Sequence, residues 1–320
     1  MKYHGAWFAA AIAGLIPVGA LPAAAETIAV FTKSAGNPIS RAVRAGAEAV
    51  AKANGVTVFH YIPTSADNVP QQTALVDEAL SAKRDAFVFT PVDVKAMVPP
   101  VQKVNAANIP LVNVSDRLAG GSAVAFIGTD DYGIALETAR TLLKAMGGKG
   151  NVVILEGPDN RPAGAVRVKG LKDALKEFPD VKLLASKSAN YARTSAADVM
   201  KGFLRSYSQI DGVLAANDPM AIGAVDALKA ANKRALVAGI NGSMEVLDLI
   251  KSGDILASGD YNGFVQGCLG AEVAVRQLRK LPVPNELVLT PVVVDKSSYQ
   301  PYETPMEQRT CPTLDSVAGK

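Results

Sequence analysis

Short apolar runs alternate with longer amphipathic stretches from Glu26 to about Arg279. The runs Thr27–Phe31, Val56–Phe59, Ala86–Phe89, Leu111–Val114, Ala125–Ile127, Val152–Leu155, Lys182–Ala185, Gly212–Ala215, Leu236–Ile240 and Leu256–Ser258 are predicted strands. Most are nearly continuous in apolar residues, which marks strands buried on both faces of a parallel sheet. Helical patterns lie between them. Pro38–Ala53 carries Ile39, Val43, Ala47 and Val50 at spacings of three and four, with Gly55 just past its end. Tyr132–Met146, Ala163–Phe178, Pro219–Ala231 and Phe264–Leu278 repeat the format. The alternation predicts an α/β fold with parallel sheets, and two smaller sheets suit the length better than one large one. A natural division falls near Gly128–Asp130. Beyond Arg279 the pattern changes: Pro282-Val283-Pro284 breaks it, and Leu287–Leu289 and Val292–Val294 are predicted strands around Thr290-Pro291.

The first 25 residues read differently, as a secretory signal peptide. Lys2 precedes an apolar run from Ala6 to Ile16, and Ala23-Ala24-Ala25 supplies the small residues preferred before cleavage. A membrane-spanning helix needs about 20 unbroken apolar residues, whereas Pro17 and Pro22 interrupt this stretch. The expectation is an exported, soluble mature chain.

Composition removes several classes of function. With 320 residues, 49% of them hydrophobic, the chain can bury two real cores and is no disordered regulator. Thirty-three basic residues nearly balance 30 acidic ones, for a net charge of +3, so a strongly basic nucleic-acid binder is excluded. Two histidines and two cysteines leave little material for a zinc site. No G-x-G-x-x-G opens a helix and no G-x-x-x-x-G-K-[ST] is present, which disfavours a dehydrogenase and an NTPase. No cofactor is expected. In an exported chain an even cysteine count favours a Cys268–Cys311 bridge stapling the C-terminal tail to a helix. Two unpaired thiols, with Cys268 buried beside Leu269, are the alternative.

In open parallel sheets ligands bind beyond the carboxyl ends of the strands. There the sequence places Lys33 and Asn37, Asp116-Arg117, Tyr191, Asn217-Asp218-Pro219, Asn241 and Asp260-Tyr261. Amides, carboxylates and a guanidinium can satisfy vicinal hydroxyls, and a tyrosine ring can cover the C–H face of a small molecule. The set suits a neutral polyhydroxylated ligand better than catalysis. Each residue also has a plain structural reading. Asp218 is expected to cap the following helix, leaving Asn217 for the ligand. Asp116-Arg117 can be an ion pair, and Lys33 a solvated loop lysine.

These motifs resemble those of the ribose-binding-protein-like sugar receptors of ABC importers, the type I periplasmic binding proteins. The resemblance rests on Ile28–Phe31 followed by Asn37-Pro38, on Asn108-Ile109-Pro110-Leu111 running to Asp116-Arg117, and on Ala216–Gly223 and Val237–Gly242. It implies two Rossmann-like lobes joined by a three-strand hinge. One lobe takes residues 26–130 plus 262–290, and the other takes 131–261 plus 291–320. It assigns hydroxyl partners to Asn37, Asp116, Arg117 and Asn217 and an aromatic wall to Tyr191. Departures are visible: Ile39 and Ser40 replace two aromatics, and Ala165 stands for a ligand-binding arginine. Asn241 replaces an aspartate, Tyr261 a glutamine, and Lys33 a serine. Ribose specificity does not transfer, and Tyr191, Tyr261 and Phe264 are the remaining candidate walls.

The resemblance implies a monomeric periplasmic receptor that closes on a monosaccharide and delivers it to an inner-membrane ABC permease. A polyol, an autoinducer or another non-sugar ligand is the alternative within the class. A carbohydrate-active enzyme using Asp116 and Asp260 is the alternative outside it. A sugar-responsive repressor is disfavoured by the leader and by the lack of an N-terminal DNA-binding segment.

Overall fold

A computed structural model describes residues 1–2, 25–158 and 162–318. The predicted leader therefore lies outside the described residues except for its two ends. Two six-stranded sheets share the chain. The first has the order β11-β5-β4-β3-β1-β2, where β1 is Thr27–Phe31, β2 Thr57–Tyr61, β3 Ala86–Phe89, β4 Leu111–Val114, β5 Ala125–Thr129 and β11 Glu286–Leu289. Helices α1 (Pro38–Asn54), α2 (Val69–Ser81), α3 (Val98–Ala106) and α9 (Gly263–Leu278) cover it. The second has the order β12-β10-β9-β8-β6-β7, with β6 Lys149–Glu156, β7 Asp180–Ser188, β8 Gly212–Ala215, β9 Leu236–Asn241, β10 Ala257–Asp260 and β12 Val292–Asp295. Its helices are α4 (Asp131–Ala145), α5 (Pro162–Leu175), α6 (Arg193–Ser206), α7 (Asp218–Ala230) and the short α8 (Leu247–Ser252). Both the α/β class and the division into two sheets agree with the hydrophobic pattern.

The apolar runs work because each sheet is buried on both faces. Along β1, Ile28 and Val30 enter the core under α1 and α9, while Ala29 and Phe31 enter the one under α2 and α3. That is the two-residue period of a strand serving two cores. Every pairing is parallel except β12 on β10, which is antiparallel. The exception follows from direction: β11 runs parallel to β5 in the first sheet, and after the two residues Thr290-Pro291 the chain enters the second sheet from the end at which β10 leaves it.

Three segments cross between the sheets: β5 into α4, β10 into α9, and β11 into β12. Gln266, fully buried, knits two of them together. Its amide donates to Thr129 Oγ1 at 3.1 Å and to the Tyr261 carbonyl at 2.6 Å, and its oxygen accepts from Ser115 Oγ at 2.7 Å.

Helices α1 and α9 pack backbone to backbone. A Cβ on Gly46 would sit 2.1 Å from the Phe264 carbonyl oxygen, and one on Gly267 would sit 2.1 Å from that of Val43. Gly267→Ala gains about 1 kcal/mol in helix propensity. Forcing the helices apart is expected to reverse that gain, for a net loss of about 2 kcal/mol read from the urea midpoint.

The tail departs from its expected assignment. Tyr299 and Tyr302 pack against the second lobe, but Met306, Cys311 and Leu314 pack against the first, and Cys311 is bonded to Cys268 on α9. A final helix, α10 (Leu314–Ala318), ends the described chain.

Candidate functional site

The carboxyl ends of both sheets face one cleft of about 360 Å³. It takes residues from the loops after β1, β2, β3 and β4 on one side and after β6, β7, β8 and β9 on the other. Lys33, Asn37, Asp116, Tyr191, Asn217, Asn241 and Tyr261 all line it.

On the first lobe, Lys33 Nζ pairs with Asp116 Oδ2 at 2.7 Å, both side chains being mostly shielded. Thus the ion pair of this segment is Lys33–Asp116, and Arg117 takes no part. Arg117 instead lies over the Phe126 ring at 3.8 Å and binds Glu286, on the outer surface away from the cleft. The dipeptide gave no sign of this, because the direction of Arg117 is set by β5 and β11, distant in sequence. Asn37 has two tasks. Its Oδ1 caps α1 by accepting from Ser40 N at 3.0 Å, which leaves its amide hydrogens for the cleft.

The second lobe corrects the capping expectation. Asn217, not Asp218, caps α7: its Oδ1 accepts from Met220 N at 3.0 Å, and its amide donates to the Tyr191 carbonyl at 3.1 Å. Asn217→Ala is expected to lower stability by about 1 kcal/mol through the lost cap, seen as a reduced urea midpoint. Tyr191 stands with a left-handed backbone, φ 58°, directly after Asn190 at φ 56°. Its ring is wedged against Gly157, where a Cβ would come within 2.3 Å. Strain of this kind persists only where surroundings over-determine it, and here they aim the ring into the cleft.

Asp218 is the first helical residue and turns inward, fully buried, to accept from Ser243 N at 2.8 Å and Ser258 Oγ at 2.5 Å. It therefore holds the loop that follows Asn241. Burial pushes its carboxyl up to about 6, against the pull of those two hydrogen bonds. The folded-state value exceeds the unfolded one, so the stability it contributes is present in acid and is lost as pH rises through 6. That window is worth on the order of 3 kcal/mol. The stability difference between the native protein and Asp218→Asn is expected to move against the native protein from pH 4 to pH 7. A pH-independent difference in urea titrations would refute the assignment.

Two cleft residues, Arg167 and Thr90, were not in the strand-end census. Arg167, on α5, is buried, donates to Asp131 Oδ1 at 2.7 Å and to the Ala216 carbonyl at 3.0 Å, and lies 4.7 Å from the Tyr261 ring. An arginine thus reaches the cleft from α5 two residues past Ala165, from a different face of the helix. Burial raises the Asp131 carboxyl while the adjacent guanidinium opposes it. Tyr261 is pushed well above its usual range by burial and by the Asp131 and Asp116 carboxylates, and stays a neutral donor, reaching the Ser115 carbonyl at 3.3 Å. Thr90, after β3, buries an Oγ1 that meets no hydrogen-bond partner among the described residues. An unmet buried hydroxyl is costly, so it marks a place for a ligand group. Thr90 directly follows the predicted strand Ala86–Phe89, so the strand-end rule reaches it; tertiary packing adds the burial of its hydroxyl.

Asp260 is not in the cleft. Its carboxylate accepts from Tyr302 Oη at 2.8 Å and Asn262 N at 2.7 Å, and it lines a separate cavity with Phe264. Burial raises it, and those two hydrogen bonds oppose the shift. Asp116 and Asp260 face different spaces, so they assemble no acid/base pair. Among the described residues no cluster of His, Cys, Asp and Glu is placed to hold a metal.

The comparisons agree with this geometry. Residues 28–282 match the periplasmic binding protein domain. The D-apiose import binding protein of Paraburkholderia graminis is 36% identical over 262 residues, spanning 81% of this chain and 83% of that one. The xylitol-binding protein of Mycolicibacterium smegmatis is 34% identical over 72% of this chain and 66% of its own length. An ABC transporter periplasmic solute-binding protein from Actinobacillus succinogenes, solved with bound D-allose, superposes with a TM-score of 0.82 at 33% identity, covering 86% of this chain and 99% of that one. With two lobes, a three-segment hinge and a polar interlobe cleft, the chain belongs to the periplasmic binding protein family.

Proposed function

We propose that this protein is a periplasmic receptor that captures a monosaccharide or polyol between its lobes and delivers it to an ABC permease of the inner membrane. The observation that carries the reading is the cleft itself: a space at the small end of ligand sites, with hydrogen-bonding groups converging from both lobes. Lys33, Asp116 and Asn37 offer charge and amide donors from the first lobe. Arg167, Asn217 and Asn241 offer a rigid fork and two amides from the second. Tyr191 and Tyr261 supply ring faces, and Thr90 a buried hydroxyl with no partner among the described residues. Relatives named for apiose and xylitol, and one solved with bound D-allose, support a small polyhydroxylated ligand.

Binding residues on both lobes make closure the mechanism. A ligand touching both sides binds the closed state more tightly and shifts the population toward it. The deciding experiment is a thermal-shift screen of the mature protein against D-apiose, D-allose, xylitol and myo-inositol, with each compound recovered afterwards. A ligand at 100 times its Kd stabilises by about 2.7 kcal/mol. A selective rise in Tm with the compound unchanged supports the receptor; turnover, or no shift with any carbohydrate or polyol, overturns it.

A further inference from the structure

The family match stops at residue 282, yet the chain continues and returns across the hinge. We infer that residues 299–318 form a tie between the lobes that limits how far the cleft opens.

Both ends of this segment are seated, each on a different lobe. On the second lobe, Tyr302 Oη donates to Asp260 at 2.8 Å, at the point where β10 leaves the sheet. Glu303 pairs with Lys251 of α8 at 2.5 Å. On the first lobe the attachment is covalent, through Cys311 to Cys268. It is backed by Leu314, buried in the core of α1 and α9, whose N–H donates to Glu272 at 2.7 Å. Asp315 adds an ion pair with Arg276 at 2.9 Å.

Little slack lies between the anchors, because Met306 already packs against the core of α1 and α9. The segment roofs a cavity of about 670 Å³ whose other walls include the starts of α1 and α9, from the first lobe, and Asp260 with the loop Asn241–Ser243, from the second. A segment seated on both lobes with little slack between its seats acts as a tether. The gap beneath it is the one that widens when the lobes part, because the Arg41–Glu245 ion pair closes the same gap between α1 and the loop after β9. Opening must therefore stretch the segment or unseat an end. The covalent end cannot yield. The second-lobe end is held by an exposed ion pair, one hydrogen bond and the partly buried Tyr299 and Tyr302 rings; exposed pairs are weak, so this end releases first.

The consequence is a higher closed fraction in the empty protein. Apparent Kd equals the intrinsic Kd divided by the competent fraction, so the tie tightens binding and slows release without touching the ligand.

The test uses ligand-free protein and does not depend on which ligand is correct. A protease recognition sequence placed between Thr304 and Pro305, both exposed, allows the tie to be cut while both anchors stay attached. Small-angle scattering of the cut, non-reduced protein is expected to shift to a larger radius of gyration and maximum dimension than the unmodified protein. Circular dichroism should be unchanged. The double variant Tyr302→Phe, Lys251→Ala, which keeps the bridge and chain intact, is expected to shift the same way by less. If neither the cut protein nor the double variant differs in dimensions from the native one, the tail is not a tie and the proposal falls.

Discussion

Arg167→Met is expected to lower stability by about 4 kcal/mol and to abolish measurable binding of any ligand that the proposed thermal-shift screen identifies. The guanidinium is only 6% exposed and pairs with Asp131, itself well shielded. Methionine fills much of the volume but leaves a buried carboxylate facing no cation. The remaining Asp131 is forced toward its protonated form, and the Ala216 carbonyl loses its donor. A second change separates the two roles. Replacing both members of a buried pair is often neutral, so Arg167→Met with Asp131→Asn should recover most of the stability. It should not recover binding, because the fork that faces the cleft is still gone. Urea midpoints and calorimetric titration read the two effects apart. An unchanged midpoint for the single variant would show that the pair contributes nothing.

Breaking the Cys268–Cys311 bridge is expected to lower stability by a similar amount. The bond spans 43 residues, and closing a loop of that size removes about 4 kcal/mol of conformational entropy from the unfolded chain. The effect acts on the unfolded state, so the folded spectrum should be the same with and without the bridge. What changes is the urea midpoint of Cys268→Ser, Cys311→Ser, or of native protein in reductant. Coincident oxidised and reduced unfolding curves would rule this out. Leu314 and the Arg276–Asp315 pair remain in either case, so the tail is expected to stay docked on the first lobe at low denaturant.

Much of this was legible in the chain. Parallel strands buried on two faces must be apolar throughout, and β1, β3, β4 and β8 have the very bounds that their apolar runs predict. Helices α2, α3 and α6 were not singled out, because their apolar periodicity is blurred by Pro99-Pro100 in α3 and by the polar start of α6. Strand ends pointed to seven residues that line the cleft, since side chains beyond a parallel sheet share its direction whatever the rest of the fold does.

The limits have one cause: a residue's neighbours in sequence do not determine which way its side chain turns. Asp116 and Arg117 are adjacent, yet one meets Lys33 in the cleft and the other meets Phe126 and Glu286 outside it. Asp260 and Tyr261 are adjacent, yet Tyr261 faces the ligand space and Asp260 faces the tail. Asn217 takes the cap expected of Asp218 while still lining the cleft, because Asp218 turns inward to two donors on β10 and the loop after β9. Arg167 became visible only when α5 was placed beside the cleft. By itself the sequence determined the α/β class, the two sheets and the strand-end chemistry, all carried by local periodicity and short-range steric preference. The tertiary structure alone decided which of those groups share one space, because that depends on contacts between segments far apart in the chain.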